Sequence, residues 1–306
     1  MRVLKFIIYL LKHGSRQNSR IDFEGERQVV LKNIAFRFPT LLTSKKKWFI
    51  TMISKSNLGH LLLVNISYLK SVSRSNRMFF VAENKKLVFV RLLKSASTSM
   101  LHELLPFIEP RLGTCNLSDE EIDALSFYYV KNKLSAVESG YSQFCLVRNP
   151  FARIVSAYLD LFKVKKESFT YVNYWFGILR YDMSFKEFVT TLSVIPKQWL
   201  GPHFSSQYQL LENAGGIQSL VYFRIEKDQI AIANFLHNFS ITLPYRNQQK
   251  ETYDYMTFYD QESFELVYQL YKEDIHVLGY LEDVELLQKS IHISSKPNSM
   301  VDSPQS

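Results

Sequence analysis

The sequence predicts an α/β protein with a central parallel sheet flanked by helices, and three observations carry that reading. Leu87 to Leu93 is an almost unbroken apolar run with β-branched and aromatic members, and after it Met100, Leu101, Leu104, Leu105 and Ile108 recur at helical spacing. The same succession returns at Phe144 to Arg148, followed by Pro150 and an apolar stripe through Ile154, Val155, Tyr158, Leu159 and Phe162. A third apolar run, Leu220 to Glu226, reads as another buried strand. Strands alternating with helices imply a parallel sheet with right-handed connections.

Taken in order, residues 1–75 form a basic N-terminal region in which Phe36 to Leu42 and Leu61 to Leu69 are apolar enough to pack. Met78 to Glu83 and Leu87 to Val90 flank Asn84-Lys85-Lys86 and predict a hairpin leading into the first parallel strand. Ser97 and Thr98 suit the start of the next helix and Pro106 should limit it. Asp119 to Lys133 reads as a helix with acidic residues near its start, where the helix dipole favours them. Lys163 to Arg180 is rich in aromatic and basic residues, a composition that suits packing or a substrate-facing insertion. The main domain is expected over residues 76–285, with a polar C-terminal tail at 286–306. No internal repeat is evident.

The turn between the first parallel strand and its helix is chemically specific. It reads Lys94-Ser95-Ala96-Ser97-Thr98-Ser99, and a loop that opens a helix aims backbone N–H groups at one spot where the dipole also favours negative charge. Lys94 adds a full positive charge, and the hydroxyls of Ser95, Ser97, Thr98 and Ser99 add donors. The nucleoside-triphosphate loop G-x-x-x-x-G-K-[ST] is absent, since no glycine falls between Gly59 and Gly113, which disfavours an ATP or GTP hydrolase. Ligands of such sheets bind beyond the carboxyl ends of the strands, so Lys94 and Arg148 are expected at one edge.

Leu92 to Met100 resembles the 5′-phosphosulfate loop of sulfotransferases, especially the Golgi-type carbohydrate enzymes related to heparan sulfate 2-O-sulfotransferase (sulfotransferase family 2). Leu93 stands where proline is usual. Phe144-Cys-Leu-Val-Arg-Asn-Pro-Phe-Ala-Arg-Ile-Val-Ser-Ala-Tyr158 resembles the family's 3′-phosphate segment. Trp199 to Leu211, with His203, an aromatic residue and a nearby Gln, is similar to a further family segment. The Arg-x-Glu of Arg224 to Glu226, Leu243 to Asn247 and Tyr268 to Tyr280 are similar to others, so the likeness covers roughly residues 78–281.

The resemblance implies a P-loop-like sulfotransferase fold, 3′-phosphoadenosine 5′-phosphosulfate as donor, a carbohydrate hydroxyl as acceptor and no metal. It implies that Lys94 and the amides of Ser95, Ala96, Ser97, Thr98 and Ser99 hold the 5′-phosphosulfate, that Arg148 and Ser156 hold the 3′-phosphate, and that Asn247 contacts the nucleotide. Lys94 would neutralise charge on the bridging oxygen. The acceptor's proton needs a base, and the candidates in order are His102, His203 and Glu103. Arg153, on the helix that begins at Pro150, reads as a solvated arginine. Two further readings are a nucleotide or sugar kinase with a degenerate phosphate loop, and a non-catalytic glycan- or membrane-binding protein.

Composition narrows the setting. At 306 residues, with 46% apolar and 22% charged residues, the chain can bury a substantial core. Cys115 and Cys145 fit neither a disulfide framework nor a zinc site. Residues 1–77 hold 15 of the 37 Lys and Arg but only 3 of the 29 Asp and Glu, so the formal charge of +8 is an N-terminal property. That surplus suits an acidic glycan or a peripheral membrane contact; no nucleic-acid partner is expected. Val3 to Leu11 is about half the roughly 20 apolar residues that span a bilayer, and the N-x-[ST] triplets at Asn65, Asn116 and Asn238 carry little weight. The expected location is the bacterial cytoplasm, or the Golgi lumen if the source is eukaryotic.

Overall fold

A computed structural model describes residues 78–110, 117–160, 179, 182–242 and 253–294. The N-terminal region 1–75, Cys115, nearly all of Lys163 to Arg180, Leu243 to Asn247 and the end of the tail lie outside these residues.

Among the described residues the sheet has four strands in the order β1 (Phe79–Ala82), β2 (Leu87–Val90), β3 (Ser142–Val147) and β4 (Val221–Arg224). β1 pairs antiparallel with β2 as the expected hairpin, and Lys86 takes the left-handed conformation (φ 49°) that turns the chain. β2, β3 and β4 run parallel, with Phe89 opposite Phe144 and Phe144 opposite Val221.

Side chains of a strand alternate between faces, and here both faces are apolar. On one face Phe80, Leu87, Phe89, Phe144, Leu146 and Phe223 pack against α1 (Ser97–Ile108), α2 (Asp119–Tyr129) and α6 (Gln229–His237). On the other, Val81, Val88, Val90, Cys145 and Val147 meet α3 (Pro150–Tyr158), α4 (Phe185–Val194), α5 (Gln207–Asn213), α7 (Gln261–Leu270), α8 (Lys272–Val277) and α9 (Leu281–Ser294). The predicted α/β fold, a mostly parallel sheet covered by helices on both faces, is therefore present.

Several expectations are corrected. Leu220 to Glu226 is an edge strand rather than a buried one: only Phe223 of β4 is buried and Val221 is 48% exposed, because no described strand covers its outer side. Pro106 lies within α1, which runs on to Ile108; in the last turn its missing N–H costs a single bond, to the His102 carbonyl. α2 stops at Tyr129, where Val130 turns extended, and a capping box between Ser118 and Glu121 fixes its start.

The boundary placed at residue 285 falls inside α9, whose Leu287 and Ile291 are buried against the core. The described α-helices of the two parallel crossovers pack on opposite faces while the strand order advances one way, which gives the crossovers opposite hands rather than the expected right-handed pair. The handedness rule describes one helix packed straight back on its sheet, whereas the described residues of these connections form two and three α-helices. Among the described residues no helix is long and apolar enough to cross a membrane.

Candidate active site

The site grows from the carboxyl ends of β2 and β3. After β2 the chain turns through Lys94 (φ 67°) and Ala96 (φ 56°), both left-handed without being glycine. Each costs roughly 1–2 kcal/mol, which surrounding contacts must offset. The reward is geometric: left-handed residues within a turn swing successive N–H groups into a concave row, an anion-binding arrangement. Ala96 is also the residue before α1 and offers no capping side chain, whereas Ser118, Asn149, Ser184, Ser206 and Asp260 cap α2, α3, α4, α5 and α7. The start of α1 is thus built of backbone donors in a positive dipole field.

The expected hydroxyl donors point elsewhere. Ser95 Oγ donates to Gln207 Oε1 (2.9 Å), Thr98 Oγ1 donates to Asp123 Oδ1 (3.3 Å), and Ser97 Oγ accepts from Arg91 Nε (3.5 Å). Arg91 is itself fixed by Asp123 (2.7 Å) and Ser126 (2.6 Å) of α2. Ser99 is buried. The Ser95 and Thr98 hydroxyl protons are thus already engaged within the protein.

Arg148 follows β3 directly, and its Nη1 donates to the Lys94 carbonyl at 3.4 Å, so the two motifs that are 54 residues apart in sequence touch. Its Nε is buried with no hydrogen-bond partner, and the nearest carboxylate, Glu226 Oε1, is 4.0 Å away. An orphaned buried guanidinium N–H is what a phosphate oxygen would satisfy, so the residues present fit a phosphorylated ligand. Glu226 accepts from the Asn149 N–H (2.9 Å) and from Tyr280 (3.3 Å), and desolvation pushes its carboxyl above the usual range against the pull of Asn149 and Arg148.

α3 and the residues flanking it carry polar side chains at helical spacing, Asn149, Arg153, Ser156 and Asp160, of which Arg153 and Asp160 reach Leu93 and Lys94 of the turn. Arg153 is not solvated, as the sequence suggested, but fully buried. Nε donates to the Leu93 carbonyl (3.0 Å), Nη1 to that of Ser205 (2.8 Å) and Nη2 to that of Pro202 (3.0 Å). Asp160 forms an ion pair with Lys94. Ser156, between these two on the same face, is buried.

Of the base candidates, His102 lies on the α2 side of α1, its Nε2 2.8 Å from Asp119 Oδ1, so the structure does not bring it to the turn. Glu103 is half-buried on the same helix. His203 sits in the Pro202–Ser205 turn, joined to Leu93 by the single guanidinium of Arg153. Asn247 lies outside the described residues. Among the described residues no group of three or more His, Cys, Asp or Glu is arranged to hold a metal ion.

Sequence reasoning missed Arg153, Asp160 and the bridging role of Gln207. The polar stripe of α3, with steps of four, three and four residues, was the available signal for the first two; Gln207 had none beyond its place near His203. Comparison with curated proteins and with solved structures gives no match. A family model does match, over residues 77–281 and under the description "Sulfotransferase family", a span that runs from β1 into the start of α9 and contains the whole site. The chain belongs to the sulfotransferase family.

Proposed function

We propose that this sulfotransferase moves a sulfuryl group from 3′-phosphoadenosine 5′-phosphosulfate to a carbohydrate hydroxyl of a polysaccharide, oligosaccharide or glycolipid. The observation that carries the reading is the contact of Arg148 with the Lys94 carbonyl, which joins an amide-lined turn and an arginine with an orphaned N–H in one anion site. One anion-binding element suits any phosphate; two, of different chemistry, suit a ligand charged at both ends.

In this reading the amides of residues 95–99 hold the 5′-phosphosulfate, and Arg148 and Ser156 hold the 3′-phosphate. The acceptor oxygen bonds to sulfur as the bond from sulfur to the 5′-phosphate oxygen breaks. Lys94, released from Asp160, neutralises the charge left on that oxygen, and the acceptor's proton passes to a base. His203 takes that role ahead of His102, because its turn is tied to the Leu93 turn while His102 faces Asp119. Positioning and fixed charge supply the catalysis, so activity is expected to persist in a chelator. The basic residues 1–77 attract an acidic glycan or an anionic membrane surface to the enzyme.

Calorimetric binding of 3′-phosphoadenosine 5′-phosphate to wild type, Lys94→Ala and Arg148→Ala, with ATP as control, tests the reading. Binding by wild type that weakens at least tenfold in Arg148→Ala, with ATP much poorer, is expected. A folded wild type that does not bind, or that prefers ATP, overturns the reading; an ATP preference would favour the kinase alternative.

A further inference from the structure

Gln207 is fully buried at the first position of α5 and belongs to neither anion-binding motif, yet it touches both. Its Oε1 accepts from Ser95 Oγ (2.9 Å) and from the Arg148 N–H (2.9 Å), while its Nε2 donates to the Arg148 carbonyl (2.7 Å). A backbone N–H only donates and a carbonyl only accepts, so the Arg148 peptide fixes which way the amide points. The side chain pairs with that peptide as a neighbouring strand would, just where β3 ends. Its remaining bond crosses to the turn after β2.

Gln207 is itself held. Its N–H donates to Asp274 Oδ2 (2.9 Å), and this fully buried carboxylate also accepts from the Tyr208 N–H (3.0 Å) and from Ser206 Oγ. A continuous line of hydrogen bonds thus runs from α8 through the start of α5 to Ser95 on one side and Arg148 on the other.

We propose that Gln207 is the positioning residue that sets the separation of the two phosphate contacts and so selects a nucleotide phosphorylated at both the 3′ and 5′ positions. The inference rests on the donor reading above. A ligand that bridges two anion sites gains from both only when their spacing is fixed beforehand, whereas a ligand that engages one site is indifferent to the other. Gln207 therefore acts on the preference for the bisphosphate over a monophosphate, not on phosphate affinity in general.

The test measures binding of 3′-phosphoadenosine 5′-phosphate and of adenosine 5′-phosphate to wild type, Gln207→Leu and Ser95→Ala, with thermal unfolding of each. Ser95→Ala removes only the bond between Gln207 and the turn, so it remains informative if Gln207→Leu fails to fold. The ratio of the two affinities is expected to fall about tenfold or more in Gln207→Leu and by a smaller factor in Ser95→Ala. A residue needed only for stability would lower the unfolding temperature and leave the ratio alone. An unchanged ratio in the folded variants overturns the inference while leaving the donor reading intact; a wild type with no preference for the bisphosphate overturns both.

Discussion

Replacing Arg153 with alanine tests how the site is braced. The guanidinium is 2% exposed, and its three donors satisfy the carbonyls of Leu93, Pro202 and Ser205. Burial pulls its pKa down, and the distributed charge of Asp274 opposes that without a direct ion pair, so the carbonyls are its principal compensation. Deleting the side chain removes three charge-assisted bonds, each about 1.5–3 kcal/mol, and leaves three carbonyls to find water in the space vacated. Part of the loss returns as the arginine's own desolvation cost disappears, which leaves about 3–5 kcal/mol. Domains of ordinary stability hold about 5–15 kcal/mol, so the loss is a large fraction of the whole. Equilibrium urea unfolding reads it: with a slope of roughly 3 kcal/mol per molar, the midpoint should fall by about 1–1.7 M. Arg153→Lys should recover little, because an ammonium cannot span three carbonyls on two separate turns. A midpoint within about 0.2 M of wild type for Arg153→Ala would refute the bracing argument.

Three further outcomes follow from the same contacts. Asp160→Asn removes the carboxylate that pairs with Lys94 and competes with an anionic ligand; at about 1 kcal/mol for a partly screened pair, 3′-phosphoadenosine 5′-phosphate should bind several-fold tighter by calorimetry, and weaker binding would count against the competition. Ala96→Gly relieves a left-handed residue that is not glycine and should raise stability by up to about 1 kcal/mol in thermal unfolding, whereas a loss would mean that the turn carries no strain. Glu138, held by Lys131 and by the Ser135 N–H at 2.6 Å, has its carboxyl drawn down from 4.5 to about 2. A depressed folded pKa stabilises above the unfolded value and is lost as pH falls, so the stability gap between wild type and Glu138→Gln should be full at pH 7 and close between about 4.5 and 2. A gap that stays constant across that window would show that Glu138 acts through packing alone.

The parts of this fold that the sequence made legible are those in which side chains meet side chains. The apolar runs of β2 and β3 and the helical stripes of α1 and α3 bury side chains on both faces of a sheet, and that demand writes itself into residue types at fixed spacing. The turn that joins β2 to α1 was legible as a turn for a related reason, since an apolar strand followed by a lysine and small hydroxyl residues before a helical stripe marks a tight strand-to-helix connection. β4 was misread because an edge strand and a central one can share an apolar run, and the difference lies in whether a neighbour exists.

The bracing of the site was hidden by its chemistry rather than by weak signal. Arg153 is satisfied wholly by carbonyls, and Gln207 makes two of its three side-chain bonds to the peptide of Arg148; every residue offers the same carbonyl, so no sequence pattern names such partners. A long polar side chain with no visible partner is read as solvated, when absence of a side-chain partner is equally what a backbone clamp requires. His102 shows the converse, since its partner Asp119 is a side chain on another helix, 17 residues away, and only the packing of α1 against α2 reveals the pair. The α3 stripe lies between these cases. Its spacing announced one polar face, and the left-handed turn at Lys94 and Ala96 is what that face exists to hold. In this site, then, strain in the turn and burial of charged and amide groups behind it are two halves of one arrangement: the second holds in place the left-handed backbone of the first.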